Sequence, residues 1–132
     1  MPVDINELSR TGIDHSKIRR IAKSVFRQTR QSLADYQLSI ALVDSKTIRR
    51  LNNQYRNKNK ITTVLSFAYS HKIGEVILAV PEIKKRSKQE KIKFLDNFNR
   101  MLVHGILHLL GYGHRNQQQA KKMEKMERII LD

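Results

Sequence analysis

Residues 92–114 read IKFLDNFNRMLVHGILHLLGYGH, and this stretch decides how the rest of the chain is arranged. From about Ser87 apolar residues recur at helical spacing through Ile92, Leu95, Phe98, Leu102, Ile106 and Leu110, and the pattern stops at Gly111, the residue type favoured just past a helix end. Such a helix is expected to be buried near its end. His104 and His108 lie four residues apart and therefore project from one face of it. Gly113 permits a tight turn after Gly111, so the backbone swings back and brings His114 toward the same point. Three neutral imidazoles with a vacant fourth position describe a catalytic zinc site, since structural sites close with four protein ligands. Zinc in an open site lowers the pKa of its water from about 15.7 to about 7, so hydrolysis is the expected chemistry. An isolated histidine in an apolar helix is usually a core residue. Three of the chain's five histidines within eleven residues are better read as ligands for one metal ion, with His15 and His71 left at the surface.

Working outward, Val3 to Asn6 reads as a short edge strand, and Ser16 opens a helix with Ile18, Ile21, Ala22, Val25 and Phe26 on one face. Gln37 to Val43 alternates as a half-buried strand, and Asp44 caps a helix striped by Ile48, Leu51 and Tyr55 that the polar run at 57–60 ends. Val64 to Phe67 and Glu75 to Val80 read as a hairpin around a polar turn ending at Gly74. After Asn116 a last helix begins, with Gln119 completing a capping box and Ala120, Met123, Ile130 and Leu131 turned to the core. Strands and helices are mixed, so the class is α+β: about four strands packed against helices, one of them the buried metal-binding helix. With no repeat, low-complexity tract or linker, the 132 residues are expected to form a single domain.

Composition narrows the function. With 26 Lys and Arg against 12 Asp and Glu, the net charge is +14, a field that attracts polyanions and points to nucleic acid, unless the charges only solvate helix faces. No apolar run approaches the roughly 20 residues needed to cross a bilayer, and the first residues lack a secretory pattern, so a cytoplasmic protein without membrane partners is expected. The absence of cysteine excludes disulfides and thiolate ligands.

Zinc peptidases of the pattern HExxHxxGxxH share the histidine spacing but place a general-base Glu after the first His, where this chain has Gly105. A peptidase-like hydrolase is therefore the weaker reading. HGILHLLGYGH instead resembles the HGxLHLxGYDH signature of the YbeY endoribonucleases, bacterial ribosomal-RNA maturation factors. LNNQYRNKNKITTVLSF at 51–67 is similar to that family's LNxxYRxxxxPTDVLSF, GEVILAV to its GDIxI strand, and MEKMERIIL to its closing helix. The resemblance implies a mixed sheet beneath the metal helix and a zinc-dependent, single-strand-specific RNase. It also implies action in 16S rRNA 3′-end maturation and ribosome quality control, with rRNA and ribosomal small-subunit proteins as partners. It makes His104, His108 and His114 the zinc ligands and Arg56 the functionally important arginine.

A guanidinium at Arg56 is suited to phosphate oxygens through its planar fork of donors, although a cation at a helix end also suits the helix dipole. Asn52, one turn earlier, either shares that face or packs structurally. Three positions depart from the family pattern: Gly113 replaces Asp, Thr63 replaces Asp or Asn, and Ile61 replaces Pro, while Glu75 keeps a carboxylate where the family has Asp. No general base is visible. The alternative to the enzyme is a non-catalytic RNA-binding assembly factor whose metal only ties a turn to a helix. The fourth ligand separates them: open to water in the first, a protein side chain in the second.

Overall fold

The computed structural model describes residues 3–8 and 10–132. In chain order the elements are β1 (Val3–Glu7), α1 (His15–Gln28), a 3-10 turn (Leu33–Asp35), β2 (Gln37–Val43), α2 (Ser45–Arg56), β3 (Val64–Ser70), β4 (Ile73–Ala79), α3 (Val80–Glu90), α4 (Phe94–Leu109) and α5 (Gln117–Leu131). Asp14, Asp44 and Asn116 start α1, α2 and α5 by accepting from the backbone N–H of Ser16, Thr47 and Gln119. In α5 the Gln119 carbonyl accepts from Arg115 N, one residue further back than a capping box requires.

The strands form one mixed sheet of order β1-β2-β4-β3, with β1, β2 and β4 parallel and β3 antiparallel to β4. Alternation along each strand sorts the side chains by face. Leu38, Ile40, Leu42, Val76 and Leu78 join the larger core with Phe26 of α1, Phe98, Leu102 and Ile106 of α4, and Met123 of α5. Ala41, Val43, Leu65, Ile77 and Ala79 face the other way and pack on Ile48 and Leu51 of α2.

The apolar stripe from Ser87 to Leu110, read as one helix, is two. α3 ends at Lys91, which takes a left-handed conformation, and α4 starts after Lys93. Val80 opens α3 instead of closing a strand, because Pro81 fits a helix's first turn and Val80, Ile83 and Ser87 bury one face. Gly74 lies inside β4, opposite Leu38, and β3 runs on to Ser70, so the hairpin turn is shorter than the sequence suggests. Leu95 and Leu131 are exposed; the core-facing positions of their helices belong to Phe98 and Met123.

Gly105 sets the distance between α4 and the sheet. A Cβ there meets Val76 Cγ1 at 2.6 Å and Val64 Cγ2 at 3.1 Å, and the Ser66 hydroxyl donates to the Gly105 carbonyl at 2.8 Å. Gly105→Ala is expected to be net destabilising. Overpacking costs about 1–3 kcal/mol, against a helix-propensity gain of about 1 kcal/mol. A lowered denaturation midpoint is the readout, and a raised one would mean that helix and sheet yield freely here.

Candidate metal centre

The end of α4 is built by its own backbone. Gly111 N–H donates to His108 O at 3.1 Å and Tyr112 N–H to Leu107 O at 3.0 Å, with Gly111 at φ 97°. This is a Schellman ending, which satisfies carbonyls left over at the helix terminus and turns the chain back. The positive φ belongs to Gly111. Gly113 has none, and a Cβ at Gly113 has room, its nearest neighbour being Gln119 Oε1 at 3.6 Å. The turn assigned to Gly113 from sequence is thus made two residues earlier, and the Asp of the resembled pattern is sterically admissible.

Past that turn His114 joins His104 and His108. One ring nitrogen from each of the three lies within 4.8 Å of the others, and the ring centroids are 4.6, 5.2 and 5.5 Å apart. His104 Nε2 and His108 Nε2 are 3.1 Å apart. The edge of a tetrahedron around zinc with bonds of about 2.0–2.1 Å is about 3.4 Å, so the donor set fits such an ion. The three histidines can hold a metal ion.

Burial depresses the pKa of His104 below its usual 6.5, opposed by the nearby Glu127 carboxylate. His108 is lowered first by burial, then by His104, His114 and the Arg56 charge, against a hydrogen bond to the Tyr112 backbone. Both shifts favour the neutral imidazole that a metal requires. His15 and His71 stand apart, His15 beside Glu7 at 3.6 Å and His71 exposed on the hairpin turn.

Glu127 of α5, to which the sequence reading gave no role, reaches His104 Nδ1 at 3.4 Å. A carboxylate placed there favours the tautomer protonated on Nδ1, the arrangement that orients metal-binding histidines, with Nε2 on the side of His108. Its signal in the sequence is a carboxylate four residues after Met123, on the face of α5 that packs inward. Glu127→Ala is expected to weaken metal affinity by about 10–100-fold, measured by competition with a chromogenic chelator. Unchanged affinity would show that His104 is oriented by packing alone.

Arg56, His104, His108, Val64, Ser66, Ala68 and Leu109 line a cleft of about 250 Å³ beside the histidines. Arg56 reaches it from the end of α2, where Asn57 in a left-handed cap stops the helix; its Nη2 donates to Ser66 O at 2.7 Å. Asn52 proves structural: it is buried, and its Nδ2 donates to Lys60 O at 3.1 Å, closing the loop after α2. Glu75 lies on the opposite face of the sheet and accepts from the Tyr69 hydroxyl at 2.9 Å.

A family model described as Endoribonuclease YbeY matches residues 4–132. The chain belongs to the YbeY family. Relatives named Endoribonuclease YbeY include one from Bartonella quintana, 41% identical over an alignment of 104 residues that covers 72% of this chain and 66% of that protein. Another, from Neorickettsia sennetsu, is 40% identical over 101 residues, covering 72% of this chain and 71% of the relative. One from Persephonella marina is 34% identical over 110 residues, covering 76% and 72%. These matches span about two thirds to three quarters of the relatives' own length. The solution structure of TM1509 from Thermotoga maritima superposes with a TM-score of 0.68 over 98% of this chain and 86% of that one, at 22% identity, which shows the shared fold.

Against the YbeY pattern, Thr63 is buried with its hydroxyl 3.3 Å from Met101 Sδ, while its carbonyl accepts from Ala79 N. Ile61 packs on the α2 side of the sheet and its carbonyl accepts from Arg86. Both departures from the pattern therefore fall in the packing of a loop and outside the cleft.

Proposed function

We propose that this chain is a zinc-dependent endoribonuclease that cuts single-stranded RNA, with His104, His108 and His114 holding one ion and Arg56 binding the scissile phosphate. The observation that carries the reading is the cleft beside the triad, whose described lining residues include Arg56 and no carboxylate, so that an ion held by the three histidines would find no fourth protein ligand in it. Zinc bound there supplies Lewis acidity and a water ionising near pH 7.

The chain's own residues do the rest. Desolvation and neighbouring positive groups hold the pKa of His104 and His108 below 6.5, which favours the neutral ligand form, and the Glu127 carboxylate favours the His104 tautomer protonated on Nδ1. A guanidinium carries five N–H donors; one of Arg56's is on Ser66 O, and the others serve the phosphate and the charge that grows on it. The peptidase-like reading loses its base for a structural reason. Position 105 faces the sheet, with Val76 already too close for a Cβ, so no Glu fits there.

In this proposal residues 1–132 act as one cytoplasmic domain in 16S rRNA 3′-end maturation and ribosome quality control, partnered by rRNA and small-subunit proteins. No helix among the described residues is long and apolar enough to cross a membrane. The +14 charge supplies affinity for the backbone. The test is cleavage of a single-stranded RNA and of a duplex by protein loaded with one zinc per chain, with and without a chelator. Zinc-dependent cutting of the single strand is expected. A zinc-loaded protein that binds RNA and cuts neither substrate would establish the non-catalytic assembly factor instead. Binding is expected to weaken with log salt at a slope of about −0.7 per phosphate contact, with at least about four contacts.

A further inference from the structure

Along β3, Ser66 turns toward α4 and the histidine cleft, and Phe67 turns to the opposite face. There Phe67 meets Tyr55 of α2 edge to face at 5.5 Å and Tyr69 in a stacked pair at 6.5 Å. Tyr55 is 62% exposed and Tyr69 64% exposed, although large apolar rings are costly to leave in water. With Leu51, Ile77 and Glu75 they border a groove of about 260 Å³ on the part of the sheet that α2 leaves uncovered.

Arg56 joins this groove to the cleft. It lines the cleft with His104 and His108, its Nη2 holds the Ser66 carbonyl of edge strand β3, and its Cζ sits 5.5 Å from the centre of the Phe67 ring. A polymer leaving the cleft over the free edge of β3 meets this guanidinium first and the three rings next. The charges say which part of the polymer lies where. Glu75, the acid among the groove's described lining residues, anchors Tyr69 and repels phosphate, whereas Arg56, over the Phe67 ring, places positive charge at the rim. A backbone on the rim with its bases turned inward satisfies both, and aromatic faces accept any base.

We propose that Tyr55, Phe67 and Tyr69 form a stacking platform for the bases of a single-stranded RNA whose backbone crosses the edge of β3 at Arg56. This rests on the endoribonuclease reading for the identity of the polymer. It gives that reading a physical source of single-strand preference, because paired bases do not present their faces.

The test is equilibrium binding of a labelled, unstructured RNA and of a matched abasic strand to the wild-type chain, Tyr55→Ala, Tyr69→Ala, and the corresponding Phe variants. Each Ala variant is expected to lose about tenfold in affinity for the RNA, the effect of one stacked base. The Phe variants should bind near wild type, and affinity for the abasic strand should not change. Equal losses on both strands, or no loss on RNA, would overturn the platform. So would unchanged RNA affinity accompanied by a changed sedimentation coefficient, which would make the groove a contact between copies of the chain. Should a variant fold poorly, 4-thiouridine crosslinks to the wild-type protein decide: adducts on these three rings support the platform, and adducts confined elsewhere overturn it. Binding is read without cleavage, so the readings fail separately. Wild-type protein that cuts RNA while the Ala variants bind normally defeats the platform alone, and stacking losses in a protein that never cuts defeat the nuclease alone.

Discussion

Replacing Arg56 with Ala is expected to lower RNA cleavage by about two to three orders of magnitude, the effect of deleting one preorganised donor aimed at developing charge. Metal content and the thermal midpoint should barely move. The side chain is exposed, and what it gives the fold is one hydrogen bond to Ser66 O and its place over Phe67. Neither contact reaches the histidines, so folding, and metal binding at neutral pH, should not depend on it. Arg56→Lys keeps a point charge and loses the planar fork, so partial recovery is expected. A fully active Lys variant would show that a positive field suffices, and an Ala variant with undiminished cleavage would remove Arg56 from the mechanism. The substitution also carries a signature in pH. The Arg56 charge is one cause of the lowered His108 pKa, so removing it lets His108 protonate more readily. The acid limb of the activity profile should then move to higher pH in Arg56→Ala and stay in place in Arg56→Lys.

What was legible in the sequence divides by the range of the interaction. Caps and alternation are local, and Asp44, Asn116 and the strand Gln37–Val43 stand where their residue types put them. The convergence of the histidines was legible for the same reason: a four-residue spacing followed by a glycine-terminated helix is a local code, even though the glycine at positive φ is Gly111 and not Gly113. The boundary between α3 and α4 was not. The apolar positions on either side of Lys91 happen to continue one helical stripe, and only packing shows that Leu95 points to solvent while Asn97, buried, donates to Ser87 Oγ across the break. Glu127 and Ser66 were missed because their roles are tertiary. The carboxylate lies 23 residues from His104, and the hydroxyl 39 residues from the carbonyl it holds. Gly105 could be read only as a missing Glu; its positive role, letting Val76 approach the helix, needs the sheet to be in place.

Each of His104→Ala, His108→Ala and His114→Ala is expected to reduce zinc from one ion per chain to well below it, read by mass spectrometry of protein dialysed against trace metal. Two imidazoles leave two positions to water, and open three-histidine sites depend on every ligand. Undiminished zinc in all three variants would end the site assignment. The wild-type site should also empty in acid, with a sign set by burial. His104 and His108 are held below the ordinary 6.5, which favours the neutral, binding form near pH 7, so zinc should be retained at neutral pH and released on acidification only at pH values below 6.5. The fold, by contrast, should survive that loss. The buried face of α4, with Leu102, Val103, Ile106 and Leu107 in the core, and the hydrogen bonds that end the helix at Gly111 involve no ion. Zinc then raises the melting midpoint only by mass action, as the logarithm of its concentration over its dissociation constant. A chelated protein that unfolds outright at room temperature would mean that the ion ties His114 and α5 to the rest of the molecule, which is the behaviour of a structural metal.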